Sequence, residues 1–317
     1  MHVDIAMATY NGARYLRDQL DSIIAQRHED WTLYVSDDAS TDDTWVILEQ
    51  YSSHHPQIQL VGNRRQGGPA RNFNTALSAT TADYVLLTDQ DDVWPNDRVE
   101  RLLSAMTSHE GTPAGPVMVF SDMRVVDEQL RTIAPSFYRY AGLDPRANAN
   151  VPRLLWSCTV YGCSTIVNRA LLHACLPIPE DVTMHDGWLA LVAAAHGGVH
   201  YLDAPTVLYR QHSGNHTGGR RKGIAERLAS LPSSARRISS NRDSYAAMLD
   251  EARALETGDR FSAYDLSGSG RFRFARQHIA PALRTDGRRL YTLVTLGTFL
   301  LRPRARAEQR PSGPAHD

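Results

Sequence analysis

Four apolar runs, each ending in a small polar cluster and each followed by a helical segment, constrain this chain more than any other feature. Residues 3–8, 33–36, 58–61 and 84–88 read as buried strands. Between them, Leu16, Leu20, Ile23 and Ile24 share one helical face, residues 69–77 form a third helix, and Val99, Leu102, Leu103 and Met106 line a fourth. The second helix is expected to start near Ser40 or Thr41, with Asp42 and Asp43 in its first turn at the positive end of the dipole. This rhythm implies an α/β fold: a doubly wound, mostly parallel sheet with helices on both faces. Such sheets bind ligands outside the carboxyl ends of their strands. Polar residues gather at those ends: Thr9 to Asn11, Asp37 and Asp38, Asn63, and Asp89 to Asp92.

Beyond a strand at 118–126 the pattern is mixed. Short apolar runs occupy 154–168, a helix is expected at 188–195, and strands at 199–202 and 206–209. From about residue 219 the chain becomes helical and basic. Residues 1–216 carry 15 Arg and no Lys against 25 acids (−10), whereas residues 217–317 carry 18 Arg and one Lys against 10 acids (+9). A boundary is therefore expected there, between a body (1–130 and 131–216 as its halves) and a basic helical extension, 217–317, suited either to an anionic partner or to a solvated face.

At 317 residues and 42% hydrophobic content, the chain can bury one large core with a smaller appended lobe. Cys158, Cys163 and Cys175 have no metal-site spacing, which suits reduced thiols in the cytoplasm. The start Met1-His2-Val3-Asp4 is unlike a secretory leader, and no run of about 18 apolar residues occurs. Lys222 is the only lysine, so no chemistry within the first 221 residues can rest on one.

The sharpest chemical signal is Val85-Leu86-Leu87-Thr88-Asp89-Gln90-Asp91-Asp92, a strand running straight into three carboxylates. Clustered anions repel unless a cation neutralises them, and an oxygen-only set suits Mg²⁺ or Mn²⁺. Acids decorating the start of the helix near Pro95 are the plainer alternative. A second cluster, Ser36-Asp37-Asp38-Ala39-Ser40-Thr41-Asp42-Asp43, offers a strand-end carboxylate to a base or ribose. It does not fit a calcium loop, because Asp42 stands where glycine is needed and Leu48 where glutamate is.

Taken in order, Ala8-Thr9-Tyr10-Asn11-Gly12, the Ser36–Asp43 cluster with Thr44, Asn63 with Gly67-Gly68-Pro69-Ala70-Arg71-Asn72, and Thr88-Asp89-Gln90-Asp91-Asp92-Val93-Trp94 resemble glycosyltransferase family 2 and its GT-A fold. The Asp-Gln-Asp-Asp-Val-Trp form is similar to bacterial rhamnosyltransferase-like members of polysaccharide assembly. The likeness covers residues 1–216. It implies a metal-dependent, inverting transfer of a sugar, with rhamnose a candidate, from a dTDP- or UDP-sugar to a hydroxyl of a glycan or polyprenyl-linked acceptor. No nucleic-acid partner is expected.

The resemblance also implies roles. Thr9, Tyr10 and Asn11 would line the nucleotide pocket, Asp38 would contact base or ribose with Asp37 supporting the turn, and Arg71 and Asn72 would lie near ribose and diphosphate. Asp89 and Asp91 form the D-x-D element with Asp92 adjacent, the direct ligand among the three being open. Asp186, in Met184-His185-Asp186-Gly187-Trp188, would be the general base, with His185 as the other choice and helix capping as the alternative role for Asp186. Gly162 would allow close backbone approach in the sugar pocket. Arg210, with Asn215 nearby, would hold the diphosphate, and His212 would be a metal ligand or an ordinary hydrogen-bonding residue.

Asp89-Gln90-Asp91-Asp92-Val93 also fits a haloacid-dehalogenase-type phosphatase, but Lys222 is followed by no acid pair on a strand. A nucleotide-sugar pyrophosphorylase would need lysine after strand 1, and a dinucleotide dehydrogenase a G-x-G-x-x-G turn. A non-catalytic nucleotide-sugar-binding homologue is the remaining class. In the extension, residues 290–301 form a short, mostly apolar stretch flanked by Arg288, Arg289, Arg302, Arg304 and Arg306. That pattern suits either an interfacial anchor at the inner face of the plasma membrane or a helix packed on the core.

Overall fold

Strands with near-continuous apolar runs are buried on both faces, and β1 (Val3–Thr9) is the clearest case: Val3, Ile5, Ala6 and Met7 are wholly buried. The computed structural model describes residues 1–109, 111, 115–212, 231–255, 258–285 and 289–301. Asn215, Lys222, Arg288, Arg302, Arg304 and Arg306 lie outside the described residues.

β2 (Trp31–Asp37) and β4 (Tyr84–Thr88) flank β1 in parallel, and β3 (Ile58–Asn63) extends that side. Beyond β4 the sheet turns antiparallel through β7 (Thr165–Asn168), which pairs with both β4 and β5 (Met118–Val126). β6 (Thr132–Ala134) pairs antiparallel with β5, and β8 (Val199–Arg210) parallel with it, giving eight strands. The two strands expected at 199–202 and 206–209 are one strand whose register slips near Asp122, with Asp203 and Ala204 as the irregular stretch.

Helices α1 (Ala13–Ile24), α2 (Thr44–His54), α3 (Pro69–Ala79) and α4 (Arg98–His109) follow the first four strands. α2 begins later than its acids suggest. Asp42 accepts hydrogen bonds from the Thr44 amide (3.1 Å) and hydroxyl, so Asp42 and Asp43 shape the entry turn ahead of the helix. Gly67 (φ +88°) and Gly68 (φ +130°) adopt angles closed to most side chains and deliver Pro69 to the first turn of α3. The shorter α5 (Phe137–Ala141), α6 (Val151–Ser157) and α7 (Arg169–Cys175) precede α8 (His185–Ala195), whose Trp188 to Ala193 are all fully buried.

Two apolar clusters sandwich the sheet. One joins α1, α2 and α4 to the sheet. The other holds α3, α6, α7 and α8 and reaches into the extension, taking in Met248 and Leu249 of α9 (Leu231–Arg253), Phe261, Phe274, and Phe299 of α10 (Arg289–Leu301). The extension thus shares a core with the second half of the body.

Candidate active site

The carboxyl ends of β1, β2 and β4 are fastened to one another by side chains. At the tip of β2, Asp37 is fully buried and accepts hydrogen bonds from the Thr9 hydroxyl (2.7 Å) and from the amide and hydroxyl of Ser40 (2.7 and 2.6 Å). That is the turn-supporting role expected of it. Asn11 adopts the left-handed conformation (φ +48°), and its side-chain oxygen accepts from the Thr41 amide at 2.8 Å. Tyr10 is exposed, with the Arg65 guanidinium 5.8 Å from its ring centre.

Asp38 faces the loop between β3 and α3. One oxygen accepts from the amides of Gln66 and Gly67, the other from that of Gly68 (3.0 Å), which sets the glycine turn ahead of α3. Its carboxylate is therefore engaged by backbone before any base or ribose arrives. Asn72 is buried and donates to the Thr9 carbonyl (3.0 Å), locking α3 to β1. Arg71 is half-exposed, 3.7 Å from Glu180.

The tip of β4 carries the acids. Asp92 is completely buried; one oxygen accepts from the Arg210 amide (3.0 Å), the other has no hydrogen-bond partner among the described residues, and the Cys163 thiol is close to the carboxyl group. Ligand atoms of Asp89, Asp92 and Cys163 all fall within 4.8 Å of one another. Asp91 sits to the other side, with its Oδ2 2.9 Å from His212 Nε2. Burial, then the charges of Asp91 and Asp186, pushes the Asp89 carboxyl up to about 7, and burial together with Asp91 and Asp89 holds Asp92 well above the usual range. A buried carboxylate oxygen without a donor, in a group of three acids, is the environment a divalent cation relieves. The carboxylates that the structure brings together are Asp89 and Asp92, an oxygen pair that suits Mg²⁺ or Mn²⁺, whereas Asp91 and His212, expected with Asp92 as metal ligands, are bonded to each other outside that group. Burial keeps the Cys163 thiol protonated, so it lines the site without offering a thiolate.

Asp186 occupies the second position of α8; the residue ahead of the helix is Met184, so helix capping does not account for it. Its oxygens accept from the Gly187 amide (2.7 Å) and the Gly162 amide (3.3 Å). Burial pushes its carboxyl up to about 6, a value suited to a base working near neutrality. His185 is buried, stacked on Phe73 at 3.8 Å, and pushed down to about 3 by burial, so it is neutral and inward-facing. Gly162 is required by this neighbour: a Cβ there would stand 2.5 Å from His185 Nε2.

Arg210 requires correction. Its side chain is 2% exposed, and its guanidinium donates to the Asp91 carbonyl (2.9 Å), the Glu128 carbonyl (2.8 Å) and the Asp18 carboxylate (2.8 Å). Held on three sides and lying over the Tyr15 ring, it braces the β4 tip from beneath and does not offer its fork to a diphosphate.

The Asp37 and Asp38 turn, the acid-bearing tip of β4 and the Asp186 carboxylate of α8, whose charge acts on Asp89, thus make up the candidate site. The family model for glycosyl transferase family 2 matches residues 4–173, more than half of the chain. The chain belongs to glycosyltransferase family 2. It is 27% identical over 225 residues to the dTDP-rhamnosyl transferase RfbG of Shigella flexneri, covering 67% of this chain and 73% of that one. The putative glycosyltransferase EpsE of Bacillus subtilis is 35% identical over 108 residues, 34% of this chain and 39% of its own length. Among solved structures, S. aureus TarS 1–349 in complex with UDP-GlcNAc superposes with a TM-score of 0.54 at 17% identity, covering 94% of this chain and 91% of that one. Mannosyltransferase PcManGT from Pyrobaculum calidifontis, in complex with GDP-Man and Mn²⁺, does so at 0.52 and 19%, covering 95% and 87%. The fold is GT-A, and the activity class is glycosyl transfer.

Three residues of this family 2 site escaped the sequence reading. Gln90, between the acids, grips the Tyr10 backbone twice, accepting from its amide (2.9 Å) and donating to its carbonyl (3.0 Å). Arg98, buried under Trp94, donates to the Cys163 carbonyl (2.7 Å) and the Thr206 hydroxyl (2.6 Å), fixing the turn that carries Gly162. The Tyr245 hydroxyl of α9 accepts from the Cys158 amide at 3.3 Å, bringing the extension beside the loop that leads to Gly162. An arginine amid an apolar helical face was the available signal for Arg98; the other two contacts span 80 or more residues and leave no local mark.

Proposed function

We propose that this enzyme transfers a sugar from a nucleotide-diphosphate donor to a hydroxyl of a glycan or polyprenyl-linked acceptor in cell-surface polysaccharide synthesis, in one inverting displacement. The observation that carries the reading is the nearness of two acid groups: the tip with Asp89, Asp91 and the wholly buried Asp92, and Asp186 on α8, whose charge acts on Asp89. Thr9, Tyr10 and Asn11 would border the nucleotide, with Arg71 and Asn72 on the α3 side and Asp38 shaping the loop between them. A divalent cation, Mg²⁺ or Mn²⁺, held at the tip would stabilise charge growing on the leaving diphosphate. Asp186, oriented by the Gly162 and Gly187 amides, would take the acceptor hydroxyl's proton as the new bond forms on the opposite face of the sugar. Gly162 makes room for the His185 ring, so that its own amide can hold Asp186 in place. Likeness to the dTDP-rhamnosyl transferase RfbG of Shigella flexneri supports a dTDP-rhamnose donor, and likeness to S. aureus TarS in complex with UDP-GlcNAc supports a UDP-sugar as the other candidate. The reaction is placed in the cytoplasm, at the inner face of the plasma membrane where a polyprenyl-linked acceptor would be met.

The test is a screen of dTDP- and UDP-sugars for Mn²⁺-dependent binding and hydrolysis, repeated on Asp91→Ala and Asp186→Ala. Asp91→Ala is expected to lose the Mn²⁺-dependent part of donor binding. Asp186→Ala is expected to bind donor and fail to transfer. Binding by the native chain that ignores Mn²⁺ and survives Asp91→Ala would overturn the reading.

A further inference from the structure

Helix α10 is turned inside out. An amphipathic helix on a core normally buries its leucines and shows its hydroxyls. Here Thr292, Thr295 and Thr298 are buried at 0, 1 and 9% exposure, together with Phe299, whereas Leu290, Leu293 and Leu300 stand 42, 55 and 38% exposed. The exposed leucines fall at intervals of three and seven, with Gly297 between the last two, so they form a single stripe along the helix. The buried hydroxyls tolerate their place because they bond to their own helix: Thr295 donates to the Tyr291 carbonyl and Thr298 to the Thr295 carbonyl, each at 2.8 Å. Arg242 of α9 anchors the helix further, donating to the Thr298 carbonyl at 2.9 Å. The orientation is set by contacts with other elements, this bond from Arg242 and Phe299 stacked on Phe274 with ring centres 5.9 Å apart.

Charge says what covers the stripe. The segments packed against α10 carry exposed Arg273, Arg276 and Arg284, and Arg289 opens the helix itself. Phe272, 43% exposed, lies among them. In sequence, Arg288, Arg302, Arg304 and Arg306 flank the helix, and the extension from residue 217 carries a net +9. No helix among the described residues is long and apolar enough to cross a membrane. At 13 residues α10 is roughly 20 Å long, well short of a hydrocarbon core. Leucines over an arginine-rich surround match a bilayer with anionic headgroups, the apolar stripe entering the acyl boundary while the guanidinium groups stay at the phosphates.

We propose that the Leu290, Leu293 and Leu300 face of α10, with Phe272 and the surrounding arginines, is a docking surface for an anionic lipid bilayer on which the helix lies flat. This does not depend on which donor or acceptor the active site takes. The test is sedimentation of the full chain with phosphatidylcholine vesicles, alone or with phosphatidylglycerol as about a third of the lipid. Three chains are compared: native, the triple variant L290S/L293S/L300S, and the double variant R276Q/R284Q. Native chain is expected to partition at least about tenfold more strongly to the anionic vesicles. The triple variant is expected to lose that binding, and the double variant to lose part of it. Because the leucines are outward-facing, an unchanged thermal melt and unchanged donor hydrolysis in the triple variant verify that its fold and active site persist. Equal binding to neutral vesicles, or retained binding by the triple variant, would overturn the proposal. So would a native chain that ignores vesicles but self-associates through this face, with the triple variant monomeric.

Discussion

The tip of β4 and the surface of α10 break the same burial rule in opposite directions. At β4, Asp92 is fully buried with an oxygen left without a donor among the described residues; on α10, three leucines face water while three threonines are buried. Each arrangement costs free energy in the isolated chain, the first by desolvating charge and the second by hydrating apolar surface. Under the two proposals both costs would fall on binding, of a cation with a diphosphate in one case and of a lipid surface in the other. The comparison teaches that misplaced chemistry locates a site whichever polarity is misplaced.

The hardest strike against it falls on Asp186. Asp186→Asn keeps the side-chain shape but removes the proposed base, and is expected to lower the transfer rate by about 10²–10⁴-fold. Donor affinity, measured by calorimetry, should stay within about twofold, which is small against that loss. Gly162→Ala comes next: with His185 Nε2 only 2.5 Å from the new Cβ, the turn holding Asp186 must shift, and a loss near 100-fold in kcat/KM is expected from steady-state kinetics. A smaller effect follows pH. The Asp186 carboxyl, raised to about 6, must be ionised to act, so kcat/KM is expected to fall about tenfold per unit as pH drops below about 6.

The same shifts set stability. Asp89 and Asp186, raised to about 7 and about 6 from 3.8, bind protons more tightly folded than unfolded. Their contribution is therefore fully present below about pH 4 and is lost as pH rises through about 6 to 7 in the cation-free chain. Mn²⁺ should raise the melting temperature more at about pH 8 than at about pH 5, because only ionised carboxylates hold it. Asp92→Asn is expected to melt higher than native without Mn²⁺ and to lose the Mn²⁺ increment, and a lower cation-free melt would break the comparison. The gentlest expectation concerns α10: L290S/L293S/L300S should leave hydrolysis of a soluble donor unchanged, as read by nucleotide release.

Much of the first half was legible because local and global signals agree there. The run Tyr84–Thr88 is the observed β4, and Val99, Leu102 and Met106 are buried on α4, since buried parallel strands and one-sided helices carry their own periodicity. The acid tip was readable as well, because three acids after an apolar strand need no tertiary context. Arg210 was misjudged: the sequence marks a cation at a strand end, and only the packing of Asp18, Glu128 and Asp91 around it reveals that its donors are taken. The single strand β8 was read as two because its register slips midway. The orientation of α10 was hidden for a related reason. Its sequence is apolar nearly all round, so which face turns inward is decided by tertiary partners, Arg242 on the Thr298 carbonyl and Phe274 against Phe299, and these the pattern alone does not hold.

Gln90 links two jobs that a chemist would wish to tune one at a time. Its backbone belongs to the acid-bearing tip and its amide grips the Tyr10 main chain at both ends, so the rim that would choose the nucleobase and the seat that would hold the ion move as a single jaw. An engineer who reshapes residues 10 and 11 to admit a different base should therefore expect ion affinity to drift with the new preference, though no ligand of the ion was touched.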